Sequence, residues 1–462
     1  MKKLILLITS LLILLTACGT NGNNTPTPNS ADPTGTGTQQ NTSTVPQELA
    51  LCRYEGCMTK DGYYYLKYME TEEGGQQLII YLDVKSMLEI PLCNKPNCKH
   101  TDENCNALVG EGSLITNQKN LILIEDSRDF VRDFRKNGGT VTMTGGAPSF
   151  MSSESGPQTI YSINLDGTNR TKLLELESGM RLQTPYVVSG NKLYAVKYET
   201  KQNTVDGGDG SFSSSMSQEN EELVCIDLEK KTVTVICDFK DKDIIGVYKN
   251  RLIIESRYSD VDPSTVDTYN DAEFFKYYNN MDRSIISFDV STKEEKTYIT
   301  AKTKNLEFPI LEGGIICYMD GKKVKKLDLD SGEISEVSVY LKKLKANISI
   351  IADGKLIYSF YEDKQVNAEM EYYYYHDLAT GENKEITLKV NSAARAGEKT
   401  ILPVEILESF GDSYLVTPKY DEEKENTWAG TIQYNLKRKN YALIKKADYW
   451  QSKANYTYFE ED

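Results

Sequence analysis

The stretch LEGGIICYMDGKKVKKLDLDSGEISEV, Leu311–Val337, contains one complete β-rich unit. A Gly-Gly turn opens it, and the apolar run Ile315–Met319 predicts a strand. Asp328 stands between Leu327 and Leu329, and this alternation of polar and apolar residues predicts a second strand with one buried face. The polar tetrad Asp-Ser-Gly-Glu that comes next is typical of a hairpin turn, and a third strand follows the turn.

The same unit recurs seven times along the chain. In each copy an Asp or Asn is flanked mainly by apolar residues, and these anchor positions are Asp83, Asn164, Asp227, Asp289, Asp328, Asp377 and Asn435. With the strand before each opening turn, every copy predicts four strands. Seven such units at an average spacing of about 59 residues predict an all-β fold, a β-propeller of seven four-stranded blades. If a terminal unit is miscounted, the propeller has six or eight blades. A β-solenoid is the alternative fold.

The N-terminal sequence MKKLILLITSLLILLTACGT combines two lysines, a short apolar run and Cys18. Residues 1–17 are predicted to be a lipoprotein signal peptide, because the apolar run is too short to span a bilayer. Leu-Thr-Ala-Cys resembles the lipobox of bacterial lipoproteins, which implies acylation of Cys18 and a membrane anchor on the extracytoplasmic face. An ordinary signal peptide with an incidental cysteine is the alternative.

Composition divides the remaining chain in two. Residues 18–49 are rich in Thr, Asn, Pro and Gly and predict a flexible tether, because they offer few side chains to bury. Residues 50–462 are predicted to form the propeller domain. The formal net charge of −15 and the lack of a basic stripe argue against nucleic-acid binding.

The insert PLCNKPNCKHTDENCNA, residues 91–107, concentrates metal-binding side chains: Cys93, Cys98, His100 and Cys105. Three cysteines and a histidine form a structural zinc combination, although this spacing is not a common one. Zinc would need thiolates kept reduced outside the membrane. Disulfides are the alternative, with Cys52 and Cys57 as further partners, since an even number of cysteines outside the cell favours bridges. A redox or haem role is the weaker interpretation of the same residues.

The other cysteines and the second histidine have structural interpretations. Cys317 lies in an apolar run and is predicted to be a buried side chain. Cys225 and Cys237 flank one predicted hairpin turn and would bridge only if the register set them opposite each other. His376 takes a strand position that is apolar or aromatic in the other copies, which favours a packed core residue over a general base.

The sequence pattern of the repeats, the lipobox and the cysteine insert together give the chain a resemblance to a known kind of protein. The chain is similar to uncharacterised surface lipoproteins of anaerobic Gram-positive bacteria that carry propeller repeats, and loosely to TolB-like and dipeptidyl-peptidase-type propellers. The resemblance implies a propeller at the cell surface. It carries over no catalytic residue, because the hydrolase domain of the peptidases has no counterpart in this sequence.

Three functional hypotheses follow from these observations. The first is a membrane-anchored propeller that binds a cell-surface carbohydrate or protein ligand, through loops such as Asp126–Pro157, Gln202–Glu219 and Tyr258–Asp282. It needs no catalytic residues, and no nucleophile elbow or zinc-protease motif is found. The second is a carboxylate-dependent carbohydrate-active enzyme on the same scaffold. The third is a thiol or metal redox protein that uses the cysteine insert.

Overall fold

Seven sheets follow one another along the chain in the computed structural model. Each contains a blade of four antiparallel strands, and further short strands extend two of the sheets. The seven sheets form a seven-bladed β-propeller, which confirms the fold predicted from the repeats. The structure describes residues 48–52, 56–71, 74–101, 105–126, 142–144, 147–149, 157–206, 212–267, 270–340, 347–361, 371–393, 399–426 and 432–461. The predicted signal peptide, Cys18 and most of the tether lie outside these residues, as does most of Asp126–Pro157.

A short strand, β1 (Ala50–Cys52), precedes the blades. Blade 1 consists of β2 to β5: Cys57–Thr59, Gly62–Thr71, Gly74–Asp83 and Leu88–Pro91. The strand β6 (Leu108–Val109) pairs with β4 beside it. Blade 2 consists of β7, β8, β11 and β12: Gly112–Thr116, Asn120–Asp126, Gln158–Asn164 and Thr171–Glu175. A separate hairpin, β9 and β10 (Thr142–Thr144 and Ala147–Ser149), lies between β8 and β11 in the sequence.

Blades 3 and 4 carry the longest described insertions. Blade 3 consists of β13 to β16: Met180–Ser189, Lys192–Asp206, Phe212–Asp227 and Thr232–Asp238. Blade 4 consists of β17 to β20: Lys242–Tyr248, Arg251–Tyr258, Asp282–Phe288 and Glu295–Lys302. Between β18 and β19 lie a 3-10 turn (Pro263–Thr265) and the helix α1 (Asp271–Asn280), and a second 3-10 turn follows β20 (Thr303–Asn305).

Blades 5 to 7 complete the ring. Blade 5 consists of β21 to β24: Glu307–Glu312, Ile315–Asp320, Lys323–Asp328 and Ile334–Val337. Blade 6 consists of β25 to β28: Asn347–Ala352, Lys355–Tyr361, Glu371–Asp377 and Asn383–Glu385; the hairpin β29 and β30 follows it (Lys389–Ala393 and Lys399–Pro403). Blade 7 consists of β31 to β34: Glu405–Phe410, Ser413–Asn426, Ile432–Lys445 and Thr457–Tyr458, with the short helix α2 (Lys446–Trp450) before β34.

The first strand of each blade faces the central axis. First strands of neighbouring blades contact one another, as β2 does β7, β13 does β17, and β21 does β25. Apolar side chains fill the space between adjacent blades in six clusters, one of which joins Ile253 and Ile285 of blade 4 to Tyr318 of blade 5. Packing on both faces of each blade explains why many strands are apolar on both sides.

Two short strands tie the chain ends to distant blades. The strand β1 pairs antiparallel with β13, so it becomes a fifth strand on the inner edge of blade 3. The last strand, β35 (Glu460–Glu461), pairs parallel with β5 at the outer edge of blade 1. Within the described part of the chain, no helix is long and apolar enough to cross a membrane.

Three details of the sequence interpretation are corrected. Asn435 was predicted to be the anchor position of the seventh unit, but it pairs with Glu423 inside a long hairpin. Lys445 takes that position, at the end of the third strand of blade 7. Gln202–Glu219 was predicted as a loop, but the strands β14 and β15 extend through most of it. The predicted loop Tyr258–Asp282 contains the helix α1, because Asn270 caps the amides of the first turn.

The propeller has two unlike faces. The strand order places the connections between first and second strands, and between third and fourth strands, on one face, which we call the turn face. Connections there are short, such as Gly313–Gly314 and Asp353–Gly354, and the longest contains α2. The opposite face, the loop face, carries residues 259–267 and 270–281 and the far ends of the long hairpin strands in blades 3 and 7.

Candidate metal centre

The cysteine insert is an excursion from the outer strand of blade 1. Pro91 of β5 pairs with Ile80 of β4, and Leu108 of β6 pairs with Leu78 of the same strand. Ile79 lies between them: its carbonyl accepts the amide of Leu92 (2.9 Å), and its amide donates to the carbonyl of Ala107 (2.8 Å). The chain therefore leaves and rejoins the sheet edge at a single residue of β4.

A tight turn brings the first two cysteines together. The amide of Cys98 donates to the carbonyl of Lys95 (3.3 Å), and Asn97 has a φ of 60°. Proline at the second position and a left-handed asparagine at the third are the residues that a type II turn requires. His100 is also left-handed, with a φ of 58°. Pro96 and Asn97 thus turn the chain between Cys93 and Cys98.

The side chains of Cys93, Cys98, His100 and Cys105 converge. Their potential ligand atoms all lie within 4.8 Å of one another, and Nδ1 of His100 lies 3.3 Å from Sγ of Cys105. A tetrahedral zinc ion with Zn–S bonds of about 2.3 Å sets its sulfur ligands about 3.8 Å apart. The group could therefore hold a metal ion with small movements of the side chains, and three sulfurs with one imidazole are donors that zinc prefers.

Backbone amides point at two of the sulfurs. Burial acts to raise the pKa of Cys93, but the amides of Lys95 and Asn106 and the neighbouring thiols outweigh it, so its pKa lies below the ordinary value. Burial raises the pKa of Cys105 to about 12, although the amides of Ala107 and Leu108 oppose the shift. A thiolate at Cys105 at neutral pH therefore needs a cation beside it, and a metal ion supplies one.

The excursion packs against blade 2. Cys105 is 3% exposed and belongs to the apolar cluster of blade 1, and Cys93 and Cys98 pack at its edge. Gly167, in a turn of blade 2 with a φ of 79°, comes so close to Leu92 that a Cβ would lie 2.4 Å from its carbonyl oxygen. Arg170 donates to the carbonyl of Leu108 (3.3 Å). The cluster thus lies at a contact between two blades.

The other two cysteines of the first unit lie outside the cluster. Cys57 packs in the apolar core of blade 1. Cys52 belongs to the cluster between blades 2 and 3, and Thr116 and Glu408 are among its neighbours. No disulfide joins any two of the eight cysteines of the described chain. The structure therefore brings together the four metal-ligand candidates and separates Cys52 from them.

The remaining cysteines and the second histidine have structural positions. The register of blade 3 sets Cys225 opposite Thr234 and Cys237 opposite Leu223, so the pairing that a bridge requires is not met. Cys317 is fully buried, as its apolar setting predicts. His376 is 5% exposed, and its Nδ1 lies 3.1 Å from the side-chain oxygen of Asn383, which agrees with a packed core residue.

The sequence interpretation missed the buried carboxylates, and three of them form ion pairs. Glu89 contacts Lys67 (3.0 Å) and Arg438 (2.8 Å), and Tyr65 donates to it (2.9 Å). Glu125 pairs with Arg170, and Glu255 pairs with Arg283 at 2.9 Å. Each pair joins residues far apart in sequence, so no local pattern indicates it. The cations compensate the negative charges of the three carboxylates. These ion pairs therefore stabilise the blades and the contacts between them.

No family model matches the chain, and no curated protein matches it. An acylaminoacyl peptidase in complex with Z-Gly-Gly-Phe-chloromethyl ketone is 13% identical, with a TM-score of 0.44, over 86% of this chain and 51% of the peptidase. A puromycin hydrolase is 9% identical, with a TM-score of 0.46, over 88% and 54%. The oligogalacturonate lyase from Vibrio parahaemolyticus is 12% identical, with a TM-score of 0.39, over 88% and 86%.

The chain thus spans about half the length of the acylaminoacyl peptidase and of the puromycin hydrolase. The seven-bladed architecture rests on the strand pairing of the chain itself. Identities of 9% to 13% transfer neither an activity nor a catalytic residue to this protein.

Proposed function

We propose that this protein is a lipid-anchored binding protein of the extracytoplasmic membrane surface, and that its propeller offers the loop face to a ligand. The observation that carries the proposal is the position of the N-terminal chain. Leu49 donates its amide to Asn250 (3.1 Å), in a tight turn of blade 4, and Ala50 pairs with Val188 near the turn of blade 3. The chain therefore enters the ring at the turn face.

Because the chain enters at the turn face, the proposed lipid anchor lies on the side of the propeller opposite the loop face. A tether from Cys18 joins the propeller at the face of short turns, and the long connections lie on the opposite side. A flexible chain of about thirty residues has an end-to-end distance of roughly 30 Å, which keeps the domain close to the membrane. Loops on a rigid scaffold commonly carry binding residues, so the outward face is the natural binding surface.

The cysteine cluster has a structural role in this proposal. A zinc ion on Cys93, Cys98, His100 and Cys105 closes the excursion of residues 92–107 and fixes it against blade 2. Such ligand sets, with all four positions taken by protein atoms, stabilise folds and leave no open position for a substrate. The ion thereby holds the outer edge of blade 1 in a defined conformation against blade 2.

Site-directed photocrosslinking in intact cells tests the proposal. The full-length protein carries p-benzoylphenylalanine either at Lys322, in the loop-face turn of blade 5, or at Ser331, in the turn face of the same blade. Both positions are exposed, so the two variants differ mainly in the face they probe. We expect crosslinked adducts from position 322 and few from position 331, and loss of membrane association in a Cys18→Ala variant.

Two outcomes contradict the proposal. Adducts from position 331 alone would place the ligand on the turn face, next to the entry of the tether. Turnover of an oligosaccharide by the full-length protein, lost when one carboxylate of the channel is replaced, would instead support the carboxylate-dependent enzyme.

A further inference from the structure

The loop face of blades 4 and 5 exposes a group of apolar side chains around α1. Tyr258 is 66% exposed, Val261 47%, Phe275 40% and Phe308 42%. The helix has no buried residue, although four of its ten residues are aromatic. We call the surface formed by Tyr258, Val261, Phe275 and Phe308 the α1 patch. Large apolar groups that share one region of a surface indicate an interaction site more strongly than scattered ones.

The scaffold holds the α1 patch in place. The side chain of Asn270 accepts the amides of Ala272 and Glu273 and so caps the helix. Arg283 donates to the hydroxyl of Tyr278 (2.7 Å) and to the carbonyl of Leu306 (3.4 Å), which lies two residues before Phe308. One buried guanidinium therefore links the helix to the start of blade 5.

Phe308 has a backbone conformation that a phenylalanine rarely adopts. Its φ is 53°, and the register of the inner strand shifts between Glu307 and Ile310. A left-handed conformation costs free energy in a residue with a Cβ, and asparagine or glycine would occupy it more easily. Strained residues that persist are concentrated at binding and catalytic sites. Here the left-handed conformation belongs to a residue whose aromatic side chain is 42% exposed.

The charge around the α1 patch selects the partner. Residues 258–281 contain five carboxylates, Asp260, Asp262, Asp267, Asp271 and Glu273, and a single base, Lys276. The next carboxylate, Asp282, pairs with Lys302 (2.9 Å). The first turn of the helix contributes Asp271 and Glu273. A partner of complementary charge is therefore cationic. Aromatic rings suit such a partner, because lysine and arginine pack their aliphatic stems on them and their charged groups are attracted to ring faces.

We propose that the α1 patch binds a cationic polypeptide segment that combines lysine or arginine with an aromatic residue. This inference deepens the proposed function, on which it rests for the loop face as the binding surface, and it names the class of ligand. The aromatic side chains contact the stems and the apolar residue of the segment. The surrounding carboxylates pair with its cationic groups and exclude acidic segments by repulsion.

Fluorescence anisotropy of the full-length protein with two labelled peptides tests the proposal. The cationic probe is GKFKKWKG, and the matched acidic probe is GEFEEWEG. We expect the cationic probe to bind at least about tenfold more tightly, and its affinity to fall severalfold between about 50 and 300 mM NaCl. A Phe275→Ala, Phe308→Gly double variant should weaken binding about tenfold. Glycine at position 308 tolerates the left-handed backbone and so protects the fold.

Three variants complete the test. Asp260→Asn with Asp271→Asn should weaken the cationic probe about fivefold and reduce its salt dependence. Glu294→Gln with Glu333→Gln changes the same charge on the turn face and should leave binding unchanged. Tyr68→Ala removes an exposed aromatic side chain of blade 1 and should also have no effect.

Equal binding of the two probes, or unchanged binding in the Phe275→Ala, Phe308→Gly variant, overturns the inference. Competition by a neutral oligosaccharide, with no preference between the peptides, assigns the patch to carbohydrate and overturns it as well. The proposed function fails separately, because crosslinking from Lys322 rather than Ser331 does not depend on the charge of the ligand.

Discussion

Asp289 directly follows the third strand of blade 4, and its carboxylate organises the turn there. It accepts the amides of Ser291 (2.8 Å) and Thr292 (3.0 Å) and the hydroxyl of Ser291 (2.6 Å). Aspartates in blades 1, 3, 5 and 6 accept amides at the same position: Asp83, Asp227, Asp328 and Asp377. These amides have no strand partner, so the carboxylate satisfies groups that the end of the strand leaves free.

We expect Asp289→Asn to destabilise the protein by on the order of 1 kcal/mol at neutral pH, because charged acceptors form stronger hydrogen bonds. The hydroxyl of Ser291, followed by the amide of Thr292, lowers the pKa of Asp289 to about 2 in the folded protein. A lowered pKa contributes stability above the unfolded value of about 4, and this contribution disappears as the pH falls through the folded value.

Urea unfolding between about pH 7 and pH 2 checks this pH dependence. The difference between wild type and Asp289→Asn should be largest near neutrality and should shrink below about pH 4. Asp260→Asn, at an exposed aspartate outside the blade turns, is the control and should show little difference at any pH. A difference for Asp289→Asn that does not change with pH would contradict the role of the charge.

The cysteine cluster leads to a second prediction at the scale of single residues. The purified protein should hold about one zinc ion, since four converging ligands fill a structural site. Cys98→Ser should reduce the metal content to near zero. The loss of one thiolate leaves only three ligands, and the metal can then no longer close the excursion of residues 92–107. Inductively coupled plasma mass spectrometry of protein prepared without added metal measures this.

Cys225→Ser is the matched control for the zinc prediction, because it removes a partly buried thiol far from the cluster in sequence and on another blade. Its metal content should equal that of the wild type. One zinc ion per chain in both variants would show that the ion lies elsewhere. A bridge between two of the cluster cysteines, found in the same preparation by peptide mapping, would favour the disulfide alternative.

At the scale of elements, the repeats carried most of the information about the fold. The alternation around Asp328 and its counterparts is local, so the four strands of each blade could be predicted from the sequence. The strands β1 and β35 could not, because they are two or three residues long and pair with blades distant in sequence. Blade 7 shows the same limit: the alternation around Asn435 belongs to a hairpin that extends past the blade.

The candidate metal centre was also predictable as a group of residues. Local spacing indicated Cys93, Cys98, His100 and Cys105, and the turn at Pro96 and Asn97 brings the first two close. The separation of Cys52 from this group could not be predicted, because it follows from the pairing of β1 with blade 3. The ion pair between Glu89 and Arg438 depends on ring closure, which leaves no local trace in the sequence.

Ring closure between blades 7 and 1 gives the prediction for elements. Glu89 of β5 has a side chain only 2% exposed, between Lys67 and Arg438, and Glu461 of β35 contacts the same two cations. Arg438→Met should destabilise the protein by about 2–3 kcal/mol. This is somewhat below the roughly 3–5 kcal/mol for a buried charge that loses its only partner, because Lys67 remains.

Thermal and urea unfolding of three variants check the closure. Glu89→Gln combined with Arg438→Met should recover part of the loss, because the amide still accepts from Tyr65 and no buried charge remains. Lys453→Met removes an exposed cation near the C-terminus and should change stability little. An Arg438→Met variant as stable as Lys453→Met would show that the pair does not hold the ring closed.

At the scale of the molecule, the N-terminal chain connects the propeller to whatever precedes it. Leu49 and Leu51 pack in the apolar cluster of blades 3 and 4, whereas Cys52 packs in that of blades 2 and 3. The strand β1 therefore joins three blades on the inner side of the ring. A force on the N-terminal chain would act first on this strand, since the chain enters through its few backbone pairs to β13.

Substitution of Leu51 tests whether β1 occupies the ring in solution. Cys52 is 8% exposed, and burial raises the pKa of its thiol to about 12, so it should react slowly with a maleimide at about pH 8. Leu51→Asp places a charge among apolar side chains and should release the strand. The labelling rate of Cys52, followed by peptide mass spectrometry, should rise about tenfold or more.

Cys317 is the internal control, because it is fully buried between blades 5 and 6 and its labelling reports opening of the ring itself. Its rate should stay unchanged in Leu51→Asp, and Leu51→Val should label like the wild type. Equal acceleration of both thiols would mean that β1 is needed for the ring to stay closed. Fast labelling of Cys52 in the wild type would contradict the position of β1. Selective labelling of Cys52 would establish that the N-terminal chain joins the propeller through one separable strand, at the turn face.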